Sequence, residues 1–393
     1  MRKVHQTVLF LKSLATGTLA PVLTLTLLGH GASIRTLSLL LGVYSGIVIL
    51  AEFPTGLFAD LYGRKKAFML AAVFQLLSLG TVQVSRSVLL LLPAMVLFGL
   101  GRAFSSGSLD ALTIDDAVGN GADLARVSAR LSMLESAGLA IGALAGGFLA
   151  GVLPRYEANL VVSLTVTLLL LLLTGVAVRE KPFRKTDSPR SGMQRIRSQI
   201  RESLSFLSRK GTVRMLVLLS GATGFALLSL ETYWQPALAG ITADTRVFGV
   251  IGVLGFACVI AGSKLTGILL AGRPGYGTAL ALGFKGIMGG GLALLAHQTR
   301  TVLFMGVYML VYLFLGSGGV AETTLLNQAA PSEQRASILS LFSFVLQAGG
   351  LLASVCGYAV STVMDFRAVW WLAAGLLVLC SVFTVPWRSR KPR

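Results

Sequence analysis

The chain has 393 residues, 54% of them apolar and only 13% charged, with a mean hydropathy of +0.78. Soluble domains carry about twice that share of charge, so an ordinary water-soluble globule is excluded. The net charge of +18 points to nucleic acid only until its placement along the chain is considered.

Apolar runs of about 20 residues are membrane-helix candidates. They predict helices near 7–29, 36–59, 67–84, 88–113, 129–152, 158–178, 213–239, 247–271, 277–297, 301–325, 337–361 and 367–387. The first follows Met1, Arg2 and Lys3 as a signal peptide would. Its apolar stretch is too long for one, and eleven more follow, so it reads as a retained helix. With both termini on one side, the loops of that side hold 24 Lys and Arg and the opposite loops hold 6. This asymmetry places both termini in the cytoplasm. It also accounts for the net charge without DNA or RNA, and the expected location is the plasma membrane, with the bilayer as partner.

Residues 179–212 separate an N-terminal half, 1–178, from a C-terminal half, 213–393. Within this linker Met193, Ile196, Ile200, Leu204 and Leu207 recur at helical spacing among Arg195, Arg197 and Arg201. The pattern reads equally as a basic amphipathic helix on the inner leaflet or as a solvated tether. The halves match at a nearly constant offset: Pro21 with Pro236, Gly56 with Gly267, Asp110 with Glu322, and Arg126 with Arg335. Four matches in register indicate an internal repeat.

Charge inside a membrane helix costs about 2.5–3.5 kcal/mol or more at its centre. Each such residue is therefore a candidate for function. They are Lys12, Glu52, Arg102, Asp110, Glu135, Glu231, Lys264, Lys285 and Glu322. At about 1.5 Å per residue, Arg102 falls near the midplane and Glu231 in the outer half. Asp110 and Glu322 fall toward the cytoplasm, where a headgroup-level charge is the competing reading. Tyr233, Trp234 and Gln235 adjoin Glu231 and suggest a binding face, although aromatic residues near helix ends also anchor at interfaces. Cys258, Cys356 and Cys380 lack metal-ligand spacing. His5, His30 and His297 are isolated, and no phosphate-cradling loop occurs. No enzyme activity, cofactor or metal is expected.

Between the second and third predicted helices stand Gly56, Asp60, Gly63, Arg64 and Lys65. Their spacing resembles the signature loop of major facilitator superfamily transporters, with Leu61 where that family has a basic residue. Arg102 through Gly107 resembles the family's fourth-helix pattern, one residue longer. Gly138, Gly142, Gly146 and Gly147 resemble the fifth-helix signature of drug–proton antiporters, with Ala143 in the place of its Pro. Read plainly, they form a small-residue stripe for close packing against the eighth helix.

The resemblance implies an all-α membrane protein of twelve helices in two parallel-repeat halves. Helices 1, 4, 7 and 10 would line a central cavity, bringing Lys12, Arg102, Asp110, Glu231 and Glu322 onto cavity-lining helices. It further implies that Asp60 latches against the start of helix 11 near Arg335. The function expected is a monomeric secondary transporter that moves a small organic solute outward in exchange for protons. The proton carrier is expected at Glu231, then Glu322, then Asp110. Solute contacts are expected at Arg102, Glu231, Tyr233, Trp234 and Gln235. The alternatives are a metabolite symporter or uniporter and, from another class, a receptor or scaffold that moves nothing.

Overall fold

A computed structural model describes residues 3–106, 108–118, 124–180, 211–272, 274–329 and 335–383. Among them all regular structure is helical. The helices are α1 (Lys3–Leu19), α2 (Leu23–Gly29), α3 (Ile34–Tyr62), α4 (Arg64–Val84), α5 (Val88–Ser105), α6 (Ser108–Val118), α7 (Leu124–Leu149) and α8 (Glu157–Ala177). They continue as α9 (Gly211–Ala239), α10 (Arg246–Gly272), α11 (Gly277–Leu295), α12 (Thr301–Ala329), α13 (Arg335–Val360) and α14 (Ala368–Phe383). Eleven described stretches are long and apolar enough to cross a membrane, and α14 adds a shorter apolar helix. The amphipathic pattern at 193–207 lies outside the described residues.

Two predicted helices are interrupted. The first is divided into α1 and α2 by a 3-10 turn at Ala20–Val22. Pro21 supplies no amide hydrogen and crowds the preceding turn. The fourth stops at Ser105 and restarts at Ser108, with Ser106 leaving helical geometry at φ −60°, ψ 119°. Serine competes for backbone hydrogen bonds and so favours helix ends. Here the Ser108 hydroxyl donates to the Ser105 carbonyl at 3.1 Å.

The chain forms two compact units, Met1–Pro189 with Asp244–Val253, and Arg190–Ala243 with Leu254–Arg393. In the first, α1 packs on α7 and α8, α4 on α5 and α8, and α3 on α5. The glycine stripe of α7 is what lets α1 approach. A Cβ at Gly142 would stand 2.5 Å from the Leu14 carbonyl oxygen and 2.9 Å from Gly17 Cα. Gly138 likewise faces Phe10 and Ser13, and Gly146 faces Thr18. The stripe thus packs mainly on the first helix of the chain, not on the eighth as expected, while Gly147 meets Gly249 of α10. Buried Asn159 of α8 closes this seam, its Nδ2 donating to the carbonyls of Thr18 (2.9 Å) and Gly146 (2.8 Å).

In the second unit α9 packs on α13 and α14, and α11 on α12 and α14. Glycines again line the main seam, with Gly221 against Gly349 and Gly224 against Leu346. Each unit therefore joins its first and fifth membrane spans through small residues.

Candidate functional site

The first unit lines an open cavity of about 590 Å³, within the range of small-molecule sites. Apolar walls come from Leu19, Leu23, Leu41, Phe68, Leu79 and Phe98; the ionisable groups on it are Lys12, Tyr44, Arg102, Asp110 and Glu135. The break between α5 and α6 sets two of these. Arg102 lies in the last turn of α5 and Asp110 in the first turn of α6. Each charge therefore sits at the helix end whose dipole favours it. A discontinuous membrane helix is also the usual framework of a transporter binding site.

The charges on the cavity are unevenly matched. Lys12 Nζ lies 3.6 Å from Asp110 Oδ2 and 3.3 Å from Glu135 Oε1, all three side chains a quarter to a third exposed. One cation thus serves two carboxylates. The other Asp110 oxygen, Oδ1, is buried and accepts no hydrogen bond among the described residues. Arg102 is exposed to the cavity. The Tyr44 hydroxyl is its polar neighbour, and Tyr44 itself packs on Phe98 at 5.2 Å. Among the described residues no carboxylate forms an ion pair with Arg102.

In the second unit the Tyr312 hydroxyl of α12 donates to Glu231 Oε1 of α9, and the Trp234 indole interacts with the same carboxylate. Trp234 packs on Tyr308 at 5.3 Å, and Tyr308 stacks on Tyr312 at 4.5 Å. Among the described residues no basic side chain pairs with Glu231. Tyr233 instead stacks on Phe366 at 5.1 Å and bonds Ser361. With Trp234 and Gln235 it is only 1–2% exposed, so these three are packed into the helix bundle. Glu322 faces Lys285 of α11 at 3.3 Å, both buried. Glu52 and Lys264 are exposed on the surface of their helices.

Gly63 is the one residue between α3 and α4, at φ 105°, ψ 144°, a conformation open to glycine and costly for residues with a Cβ. Glu180 accepts from the backbone amides of Arg64 (2.8 Å) and Lys65 (3.2 Å), and so caps the start of α4. Lys65 Nζ donates to the Gly175 carbonyl at the end of α8 (2.9 Å). Asp60 belongs to the last turn of α3. The described side chains do not include those of Asp60 and Arg335, so the expected latch lies outside them. Gly56 has nothing near its missing Cβ.

Sequence reasoning did not anticipate Tyr44, Tyr308, Tyr312 or Glu180. The two tyrosines of α12 did carry a signal: they stand four residues apart on one apolar helix face, as partners for a single buried group would.

Comparison with known proteins agrees with this architecture. The sequence model described as Major Facilitator Superfamily matches residues 7–353. The chain is 23% identical over 369 residues to "Uncharacterized MFS-type transporter YxaM" of Bacillus subtilis (strain 168), covering 94% of this chain and 91% of that one. Among solved structures, the nucleoside transporter NupG superposes with a TM-score of 0.82 at 12% identity, over 99% of both chains. A bacterial homolog to the human lysosomal transporter Spinster, inward-facing and unoccupied, gives 0.71 at 14% identity, over 98% of this chain and 94% of that one. Broken and glycine-seamed helices, charges held inside apolar spans and a family match over most of the sequence lead to one assignment: the chain belongs to the Major Facilitator Superfamily and is a multi-pass membrane transporter.

Proposed function

We propose that the protein is a proton-coupled secondary transporter that holds a small organic solute in the cavity of the first unit and exports it in exchange for protons carried by Glu231. The observation behind the proton assignment is the setting of Glu231: a carboxylate inside a membrane helix whose partners are a hydroxyl and an indole, with no cation among the described residues. A proton-driven cycle needs a carboxylate whose hydration changes between the two access states. A group already held by a cation changes its proton affinity less readily, which ranks Glu322, beside Lys285, below Glu231. Asp110, 3.6 Å from Lys12, ranks below Glu231 for the same reason. The 24-to-6 distribution of loop cations supports cytoplasmic termini in the plasma membrane.

Outward exchange rests on the antiporter-like glycine pattern of α7. A second reading, uptake together with protons, draws support from Arg102, because a cavity cation favours solutes that gain from an accompanying positive charge. Polar groups maintained inside the spans of both units favour transport over a scaffold role.

The test is flux in proteoliposomes. Glu231→Gln should abolish accumulation driven by a proton gradient while leaving solute exchange across the membrane measurable. Unchanged gradient-driven flux in Glu231→Gln removes this residue from the mechanism. The sign of accumulation in cells separates export from uptake.

A further inference from the structure

The charge arrangement on the first unit's cavity carries the reading one step further. Among the described residues two cations and two carboxylates line it, but not as two pairs. Lys12 lies within 3.6 Å of Asp110 and 3.3 Å of Glu135, so both carboxylates are engaged by one ammonium. Arg102, exposed to the cavity, forms no ion pair among the described residues and has the neutral Tyr44 hydroxyl as its neighbour. A guanidinium inside a membrane span is costly unless it meets water or a counter-charge. Its planar fork of donors suits a carboxylate, sulfonate or phosphate group. Beside it the Tyr44–Phe98 pair and the side chains of Leu41 and Leu79 form an apolar wall.

We infer that the solute is an amphipathic organic anion, whose acidic headgroup pairs with Arg102 and whose apolar body lies against Tyr44 and Phe98. The inference rests on the reading of this cavity as the solute site. A lipophilic cation is disfavoured on the same grounds. Near Arg102 it meets a like charge, and at Asp110 and Glu135 it competes with Lys12, which is covalently held in place.

The experiment compares two probes with the same ring and opposite charge, naphthoate and naphthylmethylammonium. Binding to the purified full-length protein in detergent is measured by calorimetry with no proton gradient. Wild type should bind naphthoate about tenfold or more tightly than the ammonium. Arg102→Gln should weaken naphthoate by about tenfold or more, the scale of one charge-assisted hydrogen-bonded pair. Arg102→Lys should recover part of the loss. Glu52→Gln, on the exposed surface of α3, should leave naphthoate affinity unchanged. A naphthoate affinity no greater than that of the ammonium in wild type, absence of both included, overturns the inference without recourse to any variant. Naphthoate binding that Arg102→Gln leaves intact also overturns it. Neither outcome touches the proton role of Glu231, which gradient-driven flux decides separately.

Discussion

Lys285 Nζ stands 3.3 Å from Glu322 Oε1, with the two side chains only 1% and 3% exposed. The pair joins α11 to α12, and Gly318 makes room for it: a Cβ there would lie 3.1 Å from Lys285 Cε. Removing one partner from a buried pair strands the other charge, at a cost of about 3–5 kcal/mol. Lys285→Met and Glu322→Leu should therefore each lower the thermal midpoint of the purified protein sharply. The double variant, an apolar pair of similar volume, should recover most of the loss. A double variant as unstable as the sum of the singles would show that the pair acts through something other than mutual neutralisation.

Two glycines of the same loop motif should respond in opposite ways. Gly63 holds φ 105°, and a Cβ on it would stand 2.8 Å from Glu180 Oε2. Gly63→Ala should cost about 1–2 kcal/mol from backbone strain alone, with further loss as the Glu180 cap is displaced. Gly56 lies within α3 with open space around it. Gly56→Ala should be neutral or stabilise by about 0.5–1 kcal/mol. Glu180→Ala, which removes the carboxylate from the start of α4, should cost about 1 kcal/mol. Thermal unfolding of the three variants side by side checks the order.

The α1–α7 seam gives a third contrast. Gly142 leaves no room for a methyl group beside Leu14 and Gly17, whereas Gly286 of α11 has open space. Gly142→Ala should separate the two helices and destabilise the first unit by about 1–3 kcal/mol. Gly286→Ala should be harmless. Equal midpoints for the two variants would mean that the seam can relax freely.

His30, just past the end of the first span, should make stability depend on pH. Its ring is buried, with Nδ1 2.8 Å from the Thr26 carbonyl oxygen. Burial, the larger effect, and the nearby Arg86 and Arg155 lower its pKa, while the Thr26 carbonyl and Glu157 act in the opposite sense. The unfolded chain then takes up the proton first as pH falls. Stability should be full above the ordinary histidine value of about 6.5 and decline as pH drops below it toward the folded value. Unfolding midpoints measured between pH 8 and pH 5 should fall in wild type (about three units suffices to span the transition), and less steeply in His30→Gln. Parallel curves for the two proteins would assign the pH dependence to other groups.

What the sequence by itself determined is the membrane architecture. Long apolar runs have few physical solutions, since a backbone in lipid must satisfy its own hydrogen bonds. The Gly63 turn and the small-residue face of α7 were equally legible, because glycine at a turn or at spacing four along a helix has a local meaning. Partnerships between helices were not legible. That Lys12 serves both Asp110 and Glu135, that Glu322 meets Lys285, and that Tyr312 reaches Glu231 depend on helix rotation and depth, to which the spacing of apolar residues is nearly blind when every face of a helix is apolar. The hydrophobic pattern of a membrane helix states that it spans, but not which way it turns. Tertiary packing decided that Tyr233, Trp234 and Gln235 are buried among other helices while Arg102 opens onto a cavity. It also decided that the fourth span breaks at the point where its two charges are needed.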